Sequence, residues 1–166
     1  MAVYCEPRTD AEILDEIGGA KHILLVGCPS CANVSYSIQK DLPLYEFTSA
    51  GLRAVGTGDE IQRLVELFAQ RGLDVDSWLP GIPASLCMLD EKARKNLFDK
   101  CEHIDTVVTL CCETGTKNVG DIARGKRVVG GMNARGLLAG VTKAQAGKMV
   151  FDKRTLYIKR FVFQSF

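Results

Sequence analysis

The chain has 166 residues, of which 46% are hydrophobic and 25% are charged, and its formal net charge is +1. This length suits a single domain with its own core. Because the net charge is close to zero, the chain has no strong positive field that would attract nucleic acid. No apolar run approaches the roughly 20 residues that span a bilayer, and the N-terminus lacks the basic and apolar regions of a secretory signal, so we expect a cytoplasmic protein.

The first half of the chain is predicted to alternate between helices and strands. Residues 9–17 start with a threonine that can cap a helix and end at two glycines, which indicates a short helix. Residues 23–26 are a continuous apolar run, typical of a buried parallel strand. Further predicted elements are a helix at residues 33–40, a strand at 52–55, a turn with an N-cap at 56–59, and an amphipathic helix at 61–70.

The second half continues the alternation and ends in a tail with strand character. Residues 104–110 are rich in β-branched side chains and are the strongest predicted strand. The other predicted elements are an extended segment at residues 73–79, helices at 90–100 and 117–123, a strand at 126–129, a glycine-rich loop at 130–140, and one or two strands within 148–166.

Alternating strands and helices predict an α/β fold with a mainly parallel, doubly wound sheet of the flavodoxin-like or Rossmann-like kind, followed by a C-terminal β extension. Right-handed crossovers place the loop after every parallel strand at the same edge of the sheet. Any ligand site is therefore expected at the carboxyl edge.

Cysteines follow several of the predicted strands, and the chain has seven of them. Cys28 and Cys31 come directly after the strand at residues 23–26, Cys111 and Cys112 directly after residues 104–110, and Cys87 soon after residues 73–79. Four thiolates at one sheet edge can hold a zinc ion or a 4Fe-4S cluster. We expect Cys28, Cys31, Cys87 and Cys111 to be the ligands, with Cys112 as the alternative to Cys111, because neighbouring residues of an extended chain point to opposite faces.

Three other interpretations of the cysteines stay open. Cys28-Pro-Ser-Cys31 after a strand also suits a stand-alone thiol–disulfide oxidoreductase, since a helix N-terminus lowers the pKa of a thiol. The cysteines can instead form a closed structural zinc module that mediates assembly. Each cysteine, taken singly, can also be a buried and inert core residue.

The C-terminal tail carries five aromatic residues, which are Phe151, Tyr157, Phe161, Phe163 and Phe166. Such a tail is typical of core packing, or of a subunit interface in a homo-oligomer, rather than of a base-stacking surface.

Three segments resemble a known set of motifs, and these are Ile23-Leu-Leu-Val-Gly-Cys-Pro-Ser-Cys31, Thr109-Leu-Cys-Cys-Glu-Thr-Gly-Thr-Lys117 and Asn133-Ala-Arg-Gly-Leu-Leu-Ala-Gly140. Together they make the chain similar to the small cysteine-rich subunit of acetogen-type methylenetetrahydrofolate reductase, which is also found as a C-terminal domain fused to other such reductases. The similarity covers residues 12–140 and is looser around residues 36–55, which resemble an insertion relative to shorter members of the family.

In that family a strand leads into a GCxxC turn, a Gly-Gly-Glu-like helix start and a lone cysteine follow, and a later strand ends in a Cys-Gly segment. The positions that resemble these motifs are Cys28 and Cys31, Thr57-Gly-Asp-Glu60, Cys87, and Cys111 or Cys112. The family's C-terminal loop, CPKGLLNGPCGG, has two cysteines that residues 133–143 lack. The resemblance therefore implies one zinc or iron–sulfur site rather than two.

The resemblance also implies a partner, which is a flavin-containing subunit that reduces methylene-tetrahydrofolate or a related methyltransferase. The chain itself shows no obvious set of residues that would bind flavin or folate, and no convincing pair of acid and base catalysts. The folate chemistry is therefore expected to take place in that partner. The implied role is that of a non-catalytic or electron-transfer subunit of an oxidoreductase complex, which delivers electrons to the partner or docks it.

Overall fold

Residues 1–162 are described by a computed structural model, in which they form a mixed α/β structure of five α-helices and three β-sheets. The helices are α1 (Asp10–Ile17), α2 (Cys31–Gln39), α3 (Val55–Gln70), α4 (Glu91–Lys100) and α5 (Glu113–Ile122). The strands are β1 (Ala2–Pro7), β2 (His22–Gly27), β3 (Tyr45–Thr48), β4 (Gly51–Ala54), β5 (Asp74–Trp78), β6 (Thr106–Leu110), β7 (Arg127–Gly130), β8 (Met132–Ala139), β9 (Thr142–Gln145), β10 (Lys148–Phe151) and β11 (Tyr157–Arg160).

The central sheet is parallel and has the strand order β5-β2-β6-β7. Its two inner strands, β2 and β6, are buried along almost their whole length, which explains their continuous apolar and β-branched sequences. The chain leaves β2 toward β5 on one side and later returns to β6 on the other side. The carboxyl ends of β2 and β6 therefore lie next to each other, at the place where the strand order reverses.

The other two sheets are antiparallel, with the orders β1-β8-β11 and β4-β3-β10-β9. The predicted α/β class is confirmed, but the prediction of a mainly parallel sheet holds for only one of the three sheets. The whole is not a clear Rossmann-like fold. The reason is that helix–strand alternation is confined to the middle of the chain, whereas the two ends and the β3–β4 hairpin pair antiparallel.

The prediction of a glycine-rich loop at residues 130–140 is wrong, because most of this segment is strand β8, the middle strand of its sheet. Its glycines serve close packing rather than loop flexibility. A Cβ atom on Gly136 would lie 2.3 Å from the carbonyl oxygen of Lys159 on β11, and one on Gly131 would lie 3.0 Å from the carbonyl oxygen of Thr109. Glycine lets the neighbouring backbones approach at these two points.

The turn predicted at residues 56–59 is also wrong, since helix α3 already begins at Val55. Its N-terminus is capped from another helix, because the side-chain oxygen of Asn33 on α2 accepts the Thr57 backbone N–H at 3.1 Å. Asp59, the last residue of the predicted turn, does not cap the helix and binds Arg53 at 2.7 Å. A cap contributed by a residue 24 positions away leaves no local sequence signal.

Most other predicted elements are confirmed to within a few residues. The threonine cap predicted for the first helix is present, and Thr9 and Glu12 form a reciprocal capping box at the start of α1. The tail forms β10 and β11, while Phe163 and Phe166 lie outside the described residues. Residues 36–55, predicted as an insertion, contain the end of α2 and the β3–β4 hairpin. Within residues 1–162, no helix has both the length and the apolar character needed to cross a membrane.

Candidate metal centre

The five predicted cysteine ligands all lie at the carboxyl edge of the parallel sheet. Cys28 follows β2, Cys31 is the first residue of α2, Cys87 is in the loop between β5 and α4, and Cys111 and Cys112 separate β6 from α5. The two cysteine turns are in direct contact, because the Cys28 backbone N–H donates to the carbonyl oxygen of Leu110 at 3.0 Å. Segments more than 80 residues apart in sequence thus meet at one place.

The charges of these five thiols affect one another. Burial raises the pKa of Cys28 and of Cys87, and the thiols of Cys31 and Cys112 raise both values further. Such mutual effects require the groups to lie close together. Cys28, Cys31, Cys87 and Cys112 therefore belong to one group of thiols at this edge, and so does Cys111, whose pKa Cys28 and Cys112 raise.

Cys111 and Cys112 are adjacent in sequence but have different surroundings. Burial raises the pKa of Cys111 to about 12, although hydroxyl groups of Thr116 and Thr109 lower it in part. The Cys111 sulfur lies 3.4 Å from the Thr116 hydroxyl, and the residue is only 1% exposed. The thiol of Cys112 raises the pKa of Cys28 and of Cys87, and the thiols of Cys28 and Cys112 raise that of Cys111.

Backbone N–H groups are directed at two of the sulfurs. The N–H groups of Leu86 and Ser30 donate to the Cys28 sulfur and lower its pKa, against the larger effect of burial. The Val3 N–H donates to the Cys31 sulfur at 3.4 Å. Hydrogen bonds of this kind favour the thiolate form and orient a metal-binding cysteine.

The turn that carries Cys28 and Cys31 is held in place by side chains from two other elements. Thr57, on α3, donates from its hydroxyl to the carbonyl oxygen of Cys28 at 3.0 Å. Tyr45, on β3, donates from its hydroxyl to the carbonyl oxygen of Pro29 at 3.0 Å. The backbone positions of Cys28 and Cys31 are therefore set before any ligand binds.

Cys5 is a sixth thiol at this place, and the sequence analysis missed it. It lies on β1 and is completely buried, and burial raises its pKa, as do the neighbouring thiols of Cys112 and Cys31. The β-prone sequence Val3-Tyr4-Cys5 is the signal that would have placed it on a strand. Cys101 is separate, since it is buried at the C-terminal end of α4 and its charged neighbour is Lys126.

The donor set suits a soft metal, because it consists of thiols whose sulfurs receive backbone N–H bonds. Among the described residues, no three cysteine, histidine or carboxylate side chains are already placed as a metal-binding group. Coordination would therefore require the clustered thiols to turn toward one another.

Comparisons with models of protein families, with curated proteins and with solved structures find no match to this chain. The interpretation of the site therefore depends on its own residues.

Proposed function

We propose that the chain is a metal-binding accessory protein with one metal centre, held by Cys28, Cys31, Cys87 and Cys112. The observation that carries this proposal is that three segments far apart in sequence place these cysteines at the carboxyl edge of the parallel sheet, where the Cys28 N–H donates to the carbonyl oxygen of Leu110 at 3.0 Å. Four thiolates are the ligand set of structural zinc sites and of 4Fe-4S clusters. Cys112 takes the fourth position in this proposal, and Cys111, whose sulfur lies 3.4 Å from the Thr116 hydroxyl, is the alternative.

The position of the cluster in the sheet supports a ligand site. The parallel sheet contains β2, β5, β6 and β7. If these four strands are renumbered 1 to 4 in chain order, their order across the sheet is 2-1-3-4. We interpret this sheet, taken alone, as a doubly wound unit of the flavodoxin-like kind. In such sheets ligands bind outside the carboxyl ends of the strands, where the order reverses, and Cys28 and Cys112 follow the two strands at that point.

The cellular role that we propose is that of a subunit serving a flavin-containing methylenetetrahydrofolate reductase or a related methyltransferase. The support is the resemblance described above, together with the position of Cys28, Cys31, Cys87 and Cys112 at one edge of the parallel sheet. A cytoplasmic location belongs to the same proposal, because thiolate ligands need a reducing compartment.

An iron–sulfur cluster would supply one-electron transfer here, and a zinc ion would supply a closed structural link. The protein itself would bind the metal and orient the cysteine ligands. The N–H groups of Leu86, Ser30 and Val3 hold negative charge on sulfur, while Thr57 and Tyr45 fix the turn between Cys28 and Cys31. Electron delivery requires the iron–sulfur form, whereas docking of a partner is compatible with either metal.

The alternative of a thiol–disulfide oxidoreductase has less support. An attacking thiol needs a lowered pKa and access to solvent, whereas burial raises the pKa of Cys28, which is only 4% exposed. A structural zinc module that mediates assembly uses the same four cysteines. It differs from the electron-transfer role in the metal that it holds.

Metal analysis and an absorption spectrum of the full chain, purified without oxygen, test this proposal. We expect one metal centre per chain, with a broad visible band for an iron–sulfur cluster and none for zinc. The double variant Cys28→Ser/Cys31→Ser should lose the metal, while the matched control Cys101→Ser should keep it. A folded wild-type protein that contains neither metal and takes up neither zinc nor iron with sulfide contradicts the proposal.

A further inference from the structure

A cavity of about 730 Å³ lies between the end of helix α2 and the strands of the C-terminal extension. One wall consists of the last turn of α2 and the segment after it, from Ser37 to Pro43, and the other consists of β9, β10 and the turn that ends at Leu156. None of the described residues that line it is a cysteine, so the cavity is separate from the candidate metal centre. Its volume is within the range of about 300–1,000 Å³ that is typical of small-molecule sites.

Both walls are held by hydrogen bonds within the protein. On the α2 side, the Leu42 backbone N–H donates to the carbonyl oxygen of Ser37 at 2.8 Å, and the Ser37 hydroxyl donates to the carbonyl oxygen of Pro43 at 2.9 Å. On the other side, the hydroxyl and the backbone N–H of Thr155 both donate to the carbonyl oxygen of Asp152, at 2.8 and 2.9 Å. The cavity is therefore formed before a ligand binds, as is usual for such sites.

The lining of the cavity is largely apolar. Its apolar residues are Ile38, Leu42, Pro43, Val150, Phe151 and Leu156. The Phe151 ring packs closely against the backbone of Gly140, where an added Cβ atom would lie 3.1 Å from two ring carbons. Because such a lining removes the apolar surface of a ligand from water, it favours a ligand with an aliphatic chain.

The charged groups around the cavity leave one cation without a direct partner. Lys153 binds Asp41 on the opposite wall at 2.6 Å, and Asp152 binds Arg154 at 2.8 Å. The ammonium group of Lys143, on β9, makes no ion pair or hydrogen bond within residues 1–162. Lys143 lines the same cavity and is exposed. Its charge is complementary to an anionic group at the end of an aliphatic chain.

We propose that this cavity binds a small amphipathic anion, namely a carboxylate with an aliphatic chain of medium length. The chain of the ligand lies against the apolar lining, and its carboxylate binds the ammonium group of Lys143. This site does not depend on the metal centre, and its tests need no metal.

Equilibrium dialysis of the full chain against octanoate at neutral pH tests this inference. We expect octanoate to bind at one site per chain and butyrate to bind at least about tenfold more weakly, because its shorter chain buries fewer methylene groups. 1-Octanol and octylamine carry the same chain with a neutral or a positively charged end, and both should bind several-fold more weakly than octanoate. Absence of octanoate binding, or equal or tighter binding of 1-octanol or octylamine, overturns the inference.

The substitution Lys143→Gln removes the charge that is assigned to the ligand carboxylate. Octanoate should bind about fivefold more weakly to this variant, which is the upper end of what an exposed ion pair contributes, and 1-octanol should bind as it does to the wild type. The matched control is Lys159→Gln, which changes an exposed lysine of β11 outside the cavity. Equal octanoate affinities of the two variants would refute a carboxylate site at Lys143.

Asp41 offers a change in the opposite direction. It follows α2 with a φ of 56°, in the left-handed region, which asparagine also adopts readily. Asp41→Asn therefore keeps the backbone and releases Lys153 from its ion pair. We expect octanoate to bind several-fold more tightly to this variant, since a second ammonium group becomes available. Unchanged or weaker binding contradicts a site that selects anions.

A variant that fills the cavity shows where the ligand binds. Val150→Trp should abolish binding of both octanoate and 1-octanol, while its circular dichroism spectrum stays that of the folded protein. If this variant does not fold, Leu156→Trp replaces it on the same wall. A folded variant that still binds octanoate like the wild type would show that the ligand binds elsewhere.

Discussion

At the scale of single residues, the clearest contrast is between Cys111 and Cys112. The two side chains share one turn, but the Cys111 sulfur lies 3.4 Å from the Thr116 hydroxyl, whereas the Cys112 thiol raises the pKa of both Cys28 and Cys87. The difference follows from the extended backbone at the end of β6, where consecutive side chains point in opposite directions. We therefore expect only Cys112 of the pair to bind the metal together with Cys28.

The substitution Cys112→Ser is expected to weaken metal binding strongly, because it removes one of the four proposed thiolate ligands. The loss should exceed about tenfold in affinity, the lower end of what outer-shell partners contribute. Cys111→Ser should bind metal nearly as well as the wild type. Titration of the metal-free proteins with zinc under anaerobic conditions measures both affinities.

Cys101→Ser is the matched control for this pair, since it removes a buried thiol far from the cluster. Its zinc affinity should equal that of the wild type. The opposite order, in which Cys111→Ser loses the metal and Cys112→Ser retains it, would show that Cys111 is the ligand.

At the scale of the elements, a buried carboxylate joins three helices. Glu60 of α3 is 4% exposed and binds both Lys40, at the end of α2, and Arg63. Arg63 also reaches Asp10 of α1 at 2.7 Å. Burial alone would raise the pKa of Glu60, but the hydrogen bonds from Arg63 and Lys40 outweigh it and lower that pKa. The charged form of Glu60 therefore stabilises the folded state.

The stability of the fold is expected to depend on this group in acid. Because the folded-state pKa of Glu60 is below its ordinary value of 4.5, its contribution is complete above that pH and is lost as the pH falls through the folded-state pKa. Glu60→Gln should lower the free energy of unfolding by about 1–3 kcal/mol at neutral pH. The cost should shrink as the pH falls below 4.5. Urea unfolding of both proteins across this range measures the effect.

A suitable control is Asp99→Asn, which breaks the exposed pair between Lys95 and Asp99 on α4. Exposed pairs contribute little, so this variant should stay within about 1 kcal/mol of the wild type at every pH. A cost of Glu60→Gln that grows as the pH falls would mean that the folded-state pKa of Glu60 is raised instead.

At the scale of the whole molecule, the candidate metal centre draws on segments from β1 to α5. Its thiols come from positions as far apart as Cys5 and Cys112, and its N–H donors come from Val3, Ser30 and Leu86. A metal that binds only this folded arrangement stabilises the whole fold by mass action. Metal binding and global stability are therefore linked.

Removal of the metal is expected to lower the melting temperature of the wild-type protein. Free metal at about 100 times Kd stabilises a fold by about 2.7 kcal/mol. For a chain of this size that corresponds to a shift of about 5–10 °C. Anaerobic calorimetry with and without a chelator measures the shift. Cys28→Ser/Cys31→Ser should show no such response, and a wild-type protein equally indifferent to the chelator would contradict a metal centre linked to folding.

The sequence by itself determined the elements whose signals are local. The apolar run of β2, the β-branched run of β6 and the capping box of α1 all predict the structure that is present, because each depends on residues within a few positions of one another. It also predicted that Cys28, Cys31, Cys87, Cys111 and Cys112 would meet at one sheet edge. That prediction needed only strand order along the chain and the fixed handedness of crossovers.

Tertiary structure alone decided the rest. Pairing of β1 with β8 brings Cys5 into the cluster and turns a glycine-rich segment into a central strand. The cap on α3 comes from Asn33, and the different directions of Cys111 and Cys112 depend on which side faces the interior. These features arise between residues far apart in sequence. The interactions that stabilise these features form only when the chain has brought the distant segments together, so no local sequence pattern predicts them.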